Sequence, residues 1–166
     1  MSITQTMNQW LEVIGAIQGE SLQLSPEGTA AFVYGEEVEV VVSVDDQSPV
    51  MFFLAVIIDM QDLEEDLHNQ ILGEAMRLNL YKQVTAGGSL AFDQHHTRLV
   101  LNKSVLVAEL SPEQFVAELE PFGQAALQLV QTFRGESASS APEEDEEQPP
   151  QNPPQIEPPP PLGWRA

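Results

Sequence analysis

The sequence predicts an α+β domain in the order helix, three antiparallel strands, helix, two strands, helix, with helices packed on one twisted antiparallel sheet. Three observations support this prediction. Apolar residues recur at helical spacing in three segments, and turn-forming residues separate the extended segments. In the segment VEVVVSVDD, which begins at Val38, valine occupies every second position up to Val44. The length of 166 residues suits one domain with a modest core.

The first helix and the first two strands follow from side-chain spacing. The apolar residues of the helix are Met7, Trp10, Leu11, Ile14 and Ile17, and Gly19 can end it. A strand is expected at Ala30–Tyr34, and the valine segment forms the next strand after a turn at Gly35. Side chains alternate along a strand, so Phe32 and Tyr34 share one face.

The third strand, Val50–Ile58, is apolar on both faces, although a sheet covered on one side normally alternates polar and apolar residues. One face carries Met51, Phe53, Ala55 and Ile57, and the other carries Val50, Phe52, Leu54, Val56 and Ile58. Either both faces are covered within the domain, or one is kept for a partner. We expect the larger second set to fill the core, which makes Met51, Phe53 and Ile57 the candidate partner-binding face.

The second helix, from about Asp62 as its cap to Tyr81, carries two apolar stripes. The first stripe consists of Leu63, Leu67, Ile71, Ala75 and Leu78, and the second consists of Leu72, Met76 and Leu80. The stripes are displaced by about 100° or more around the helix axis, so one sheet covers only one of them. Either the third helix or a second copy of the chain covers the other. The second alternative makes Leu72, Met76 and Leu80 the candidate dimer interface.

The third helix has a well-defined start. Ser111 caps it, Pro112 occupies the first helical position, and Gln114 completes a capping box. Its inward-facing residues are Phe115, Leu119, Phe122, Ala126, Leu129, Val130 and Phe133. Pro121 lies inside this pattern and is expected to kink the helix.

The segment LNLYKQVTAGGSLAFDQHHTRLVLN, Leu78–Asn102, contains the residue types of an active site. Its glycines run from a helix into a strand, whereas a phosphate-binding loop runs from a strand into a helix. His95 and His96 point apart in an extended segment, and metal sites need three or four convergent ligands. A hydrolase using Asp93 and His95 is a distant hypothesis, because no nucleophile elbow accompanies them. We expect turns here, with no catalytic residue, metal or cofactor and no enzymatic activity.

Charge and composition divide the chain near Gly135. The net charge is −20, and the segment from Glu136 carries seven acids and one base, which leaves −14 for the body. That segment is rich in Pro, Glu, Gln and Ser, so we expect an acidic, disordered tail over residues 136–166 beside a domain over residues 1–135. The acidic body argues against nucleic-acid binding, and no apolar run is long enough to insert into a membrane as a helix.

The order of elements and several segments resemble the class I chaperones of bacterial type III secretion, the family of the Tir chaperone. The resemblance covers Met7 to about Arg134 and is most specific in LNLYKQVTAGGSLAFD and LSPEQFVAELEPFGQAA, in a small, acidic chain without cysteine. The chain departs from the family in reading VLVAELS where an LPL segment is usual, and in its Pro-rich acidic tail.

The resemblance implies a homodimer in the bacterial cytoplasm that binds the N-terminal chaperone-binding segment of a secreted effector and keeps it soluble and export-competent. It also implies the ATPase of the secretion apparatus as a further partner, and no cofactor. A regulatory binder of the same fold, which sequesters a secretion-control or transcription-regulating protein, is the alternative. The candidate client-binding residues are Phe32, Tyr34, Met51, Phe53, Ile57, Trp10, Leu90 and Phe92.

Overall fold

A computed structural model describes residues 2–18, 21–35, 37–107 and 110–139. The elements are α1 (Ile3–Gln18), β1 (Thr29–Tyr34), β2 (Val38–Ser43), β3 (Val50–Asp59), α2 (Glu65–Leu78), β4 (Ser89–Asp93), β5 (Arg98–Leu106) and α3 (Pro112–Ser139). The predicted fold class and the predicted order of elements are therefore confirmed.

The five strands form one antiparallel sheet in the order β1-β2-β3-β5-β4. β3 is central and is paired with β2 on one side and β5 on the other, with a bulge between Val56 and Ile58. α2 carries the chain from the central strand past β5 to the far edge. The two sheet edges are consequently β1 and β4.

The core lies on one face of the sheet, between the strands and the helices. Phe53 of β3 makes edge-on ring contacts with Phe115 and Phe122 of α3, with ring centroids 5.9 and 5.6 Å apart. Trp10 of α1 packs on Phe115 at 6.0 Å. On the β4 side, His68 of α2 lies 5.2 Å from the ring of Phe92. Register places Leu90 opposite Leu101, which in turn lies opposite Ala55, so all these contacts are on the same face.

The observed boundaries of α2 differ from the predicted ones, whereas the predicted start of α3 is found in the structure. α2 begins at Glu65 after Glu64, which makes no side-chain capping bond, so Asp62 is not the cap; the helix ends at Leu78 rather than Tyr81. At α3 the predicted capping box is confirmed, because Ser111 N donates to Gln114 Oε1 at 2.8 Å and Gln114 N donates to Ser111 Oγ at 3.3 Å.

α3 continues through Pro121 and ends at Ser139, four residues beyond the predicted domain boundary at Gly135. No proline occurs between Glu136 and Ser139, so nothing in that stretch stops the helix. The predicted disordered tail otherwise lies outside the described residues, and its separation from the domain stays a prediction.

Candidate protein-binding surfaces

A groove of about 430 Å³ lies where α1, β1 and α3 meet. It is lined by Ile14, Leu22, Ala31, Phe32, Val33, Tyr34, Val116, Leu119 and Glu120. Most of the lining side chains are apolar, one is a carboxylate, and polar atoms contribute about half of the lining surface. A groove of this size and composition suits apolar side chains of a partner protein.

The groove is built from the edge strand and the two terminal helices. β1 pairs with β2 only, so within the described part of the chain its other edge has backbone donors and acceptors that face no strand. The segment after α1 is fixed by Asn8, whose Oδ1 accepts a hydrogen bond from Leu24 N at 2.9 Å, and this places Leu22 on the groove wall. An apolar groove beside an open strand edge is the arrangement that binds an extended peptide by strand addition.

The aromatic side of the groove depends on a close approach of α3 to β1. Phe32 lies 6.4 Å from Phe115, ring centroid to ring centroid. Tyr34 lies flat against Gly123, where an added Cβ would come within 2.6 Å of three atoms of the ring. Only glycine therefore admits this ring position. Burial, reinforced by the negative charge of Glu120, raises the pKa of the Tyr34 hydroxyl above its ordinary value.

The electrostatics of the surface favour a basic partner. Each described arginine is ion-paired with an acid (Arg77 with Glu74, Arg98 with Asp93 and Arg134 with Glu37), and Lys103 pairs with Glu118 at 2.6 Å. Lys82 donates instead to the backbone oxygen of Gly88 at 3.0 Å. Glu120 has no ion pair with another described residue and is exposed at the groove. An arginine or lysine of a partner would find its counter-charge there.

The face of the sheet away from the helices is a second apolar surface. Its most exposed members are Val33 at 68%, Phe52 at 51%, Leu106 at 45% and Val56 at 37% of full accessibility. Register places Leu106 of β5 opposite Val50, which has the same strand parity as Phe52, so the surface crosses from β3 to β5.

The outer side of α2 forms a third apolar surface. Met76 and Leu80 are 74% and 78% exposed, and Leu72 on the same stripe is half-buried. Leu80 lies just past the end of α2 at Leu78, and Tyr81 and Val84 continue the exposed strip from there. Within the described residues α3 covers neither Met76 nor Leu80, so the first of the two predicted covers is not found there. The assignment of this stripe to a dimer interface stays a prediction.

The prediction of the partner-binding face of β3 is wrong. Met51 and Phe53 are fully buried and Ile57 nearly so, whereas Phe52 and Val56 of the opposite parity are exposed. The prediction took the face of β3 with the larger total side-chain volume as the buried one. The buried face is instead the one on which α3 packs, because Phe115 and Phe122 of α3 contact Phe53. Trp10 and Leu90 are also buried, so the structure contradicts their assignment to the binding surface.

Three other predicted contacts agree with a surface role but remain predictions. Phe32 and Tyr34 line the groove, and Phe92 is partly exposed at the β4 edge, far along the sheet from β1. The sequence reasoning did not find Leu22, Val116 or Glu120. Val116 and Glu120 are one helical turn apart on α3, but their neighbours across the groove are about ninety residues earlier in the chain, and only folding brings them together.

The predicted turn at Asp93 closes the β4–β5 hairpin. Asp93 Oδ2 binds His96 Nδ1 at 2.8 Å and accepts from Arg98 Nε at 3.0 Å, while Oδ1 accepts from the backbone N–H of His95 at 3.1 Å. The His96 hydrogen bond, followed by that of Arg98, lowers the pKa of Asp93 to about 2. The imidazole bound to Asp93 belongs to His96, not to His95 as the hydrolase hypothesis requires.

The described residues also bear on metal binding and on membrane insertion. No group of three or more His, Asp or Glu side chains among them is placed to hold a metal ion. None of the helices in the described ranges has the length and hydropathy needed to span a membrane.

The groove, the sheet, α2 and most of α1 and α3 fall within one matched stretch of sequence. Residues 9–130 match the model of the Tir chaperone protein (CesT) family, which is 122 residues of 166. The chain belongs to the Tir chaperone protein (CesT) family. The resemblance to type III secretion chaperones is thereby confirmed, and the family is one of chaperones rather than enzymes. Among curated protein sequences, none matches the chain.

Solved structures with the same fold extend this finding. A chain of the ExsC–ExsE complex is 22% identical with a TM-score of 0.64, over 80% of this chain and 97% of that one. A chain of the HopA1–SchA chaperone–effector complex is 15% identical with a TM-score of 0.57, over 80% and 95%. A chain of the complex of the Yersinia pestis type III secretion chaperone SycH with a fragment of YscM2 is 17% identical with a TM-score of 0.52, over 75% and 99%. At these identities the likeness shows the fold.

Proposed function

We propose that this CesT-family protein is a cytoplasmic chaperone that binds the N-terminal chaperone-binding segment of a type III secreted effector and keeps that segment soluble and competent for export. The observation that carries the proposal is the groove at the free edge of β1. Support also comes from the solved relatives, which include a chaperone–effector complex and a secretion chaperone bound to a fragment of another protein.

The groove offers a client two kinds of contact. The free edge of β1 can pair with an extended client backbone irrespective of sequence, and the apolar lining around Tyr34 takes side chains at intervals along it. Glu120 adds a preference for a base near the apolar anchor. The client is therefore an extended, amphipathic and locally basic segment, and the body charge of the chaperone favours its approach.

We further propose that two chains associate through the second stripe of α2. Met76 on α2 and Leu80, two residues after its end, are among the most exposed apolar side chains of the described residues. A lone exposed apolar residue is ordinary, but a strip that continues through Tyr81 to Val84 indicates an interface. In such a dimer the two grooves stay free, since each lies at the β1 edge, the opposite side of the sheet from β4 and α2.

The test is capture of clients by the tagged full-length protein from a secreting strain, followed by truncation of each captured protein from its N-terminus. Glu120→Lys combined with Val116→Ser should abolish retention of a secreted effector that binds through its N-terminal segment. Leu106→Ser on the open sheet face is the matched control and should retain it. If the captured protein is a transcription regulator or a component that controls secretion, the alternative function holds instead.

A further inference from the structure

The end of α3 sets the distance that residues 140–166 must cover to meet the groove. Arg134 Nη1 of α3 pairs with Glu37 Oε2 before β2 at 3.1 Å, which holds the last turns of α3 at the β1–β2 corner. α3 ends at Ser139, nineteen residues after Glu120 of the groove. At 1.5 Å per helical residue, the chain therefore leaves the helix roughly 29 Å from the groove.

Residues 140–166 carry their apolar and basic side chains at the far end. Five consecutive acids occupy residues 143–147, and eight of the prolines lie between residues 149 and 161. The segment PLGWRA follows, with Leu162, Trp164 and Arg165, the last being the only base after Arg134. The 22 residues from 140 to 161 span at most about 68 Å as polyproline II, which is more than twice the roughly 29 Å to be covered. PLGWRA thus reaches the groove without strain.

The chemistry of this segment complements the groove. The groove takes apolar side chains on a lining that includes Tyr34 and Val116, and it carries a carboxylate, Glu120, without an ion pair among the described residues. PLGWRA supplies a large aromatic ring with a base beside it. The acidic run ends fifteen residues before Leu162, and the one acid between them, Glu157, is separated from Leu162 by four prolines.

We propose that Leu162–Arg165 occupies the groove of its own chain, with Trp164 among the apolar side chains and Arg165 paired with Glu120, until a client displaces it. Only the identity of the displacing client rests on the proposed function. Tethering gives the segment an effective concentration of order millimolar, so even submillimolar intrinsic affinity fills most grooves. A client binds only the fraction of grooves that is free, so its apparent affinity falls in proportion to that fraction, by about three- to tenfold.

The experiment uses the full-length protein, which contains no cysteine, with one introduced by Glu157→Cys to carry a nitroxide spin label. Amide signals of β1 and of residues 116–120 should broaden, while those of the β4–β5 hairpin should not. Trp164→Ser should abolish this broadening. Ile156→Ser is the matched control, because it also removes one apolar side chain from residues 140–166 but lies outside Leu162–Arg165. It should preserve the broadening. Unbroadened β1 signals, or equal broadening over the whole surface, would overturn the proposal.

Two further measurements separate the proposal from its neighbours. In a mixture of chains that carry the spin label but no isotope with chains that carry the isotope but no spin label, no broadening is expected. Broadening in that mixture would place the segment on a second copy instead. Arg165→Glu should release the segment, and adding Glu120→Arg should restore the broadening. These broadening measurements are made without a client. They can therefore fail while the client-capture test of the proposed function succeeds, and the reverse is equally possible. With a client in hand, Trp164→Ser should tighten its binding about three- to tenfold, and unchanged affinity would contradict displacement.

Discussion

The two phenylalanines at the centre of β3 offer the sharpest test of the fold. Phe53 is fully buried between Phe115 and Phe122, whereas its neighbour Phe52 is half exposed on the open face of the sheet. The same substitution, Phe→Ala, therefore removes the same atoms from adjacent positions with different surroundings. We expect the Phe53 variant to be strongly destabilised and the Phe52 variant to be nearly as stable as the native protein.

The magnitudes follow from burial. Truncating a fully buried phenylalanine costs about 3–5 kcal/mol, because transfer free energy is lost and a cavity remains. Phe53 also gives up two edge-on aromatic contacts, which places it towards the upper end. Phe52 buries about half of its side chain, so its truncation costs roughly 1 kcal/mol. A domain of roughly 140 residues has an unfolding entropy near 0.3 kcal/mol/K, so the expected falls in Tm are about 10–17 °C and about 3 °C.

Thermal unfolding followed by circular dichroism measures both values, and urea denaturation checks that the slope m is unchanged. Equal losses in the two variants would mean that β3 is covered on both faces, for example by a second copy of the chain on the open face. A larger loss for Phe52 would mean that the core lies on the other side of the sheet. Either result would refute the assignment of Phe53 to the core.

Three further predictions address the groove, the hairpin and the interface. Gly123→Ala should displace the Tyr34 ring and lower the free energy of unfolding by about 1–3 kcal/mol in denaturant titrations; an unchanged value would show that α3 shifts freely. The folded pKa of Asp93, about 2, lies below its ordinary 3.8, so its stabilising effect is present above about pH 4 and lost as the pH falls towards 2. The Tm difference between native protein and Asp93→Asn should shrink over that window, and a constant difference would contradict the ionic role of the carboxylate. Met76→Glu with Leu80→Glu should yield monomers by light scattering, and an intact dimer would remove α2 from the interface.

Local signals explain why the elements could be predicted from the sequence. The alternation of valines in β2 and the capping box at Ser111 involve residues within a few positions of each other, and both are found in the structure. The turn at Asp93 is equally local, because one carboxylate binds groups two to five residues ahead. Such features depend on backbone geometry over a single turn or strand, so neighbouring residues suffice to specify them.

The choice between the two faces of β3 was beyond local reasoning. Alternation separates Phe52 from Phe53 but does not say which of them meets α3, because both faces are apolar. The decision came from Phe115 and Phe122, which lie some sixty residues later and pack on Phe53. For the same reason Leu90, read as a surface residue of the hairpin, is buried.

The sequence by itself determined the element order, the α+β class, the acidic charge and, through resemblance, the family of this protein. Tertiary structure alone decided where a partner can bind, because the groove joins β1 to a stretch of α3 about ninety residues away. It also decided which apolar residues stay exposed, such as Val33 and Met76. The physical reason is that burial is a property of pairs of surfaces: a sequence specifies each apolar face, and only the packed chain specifies which faces meet and which remain for a partner.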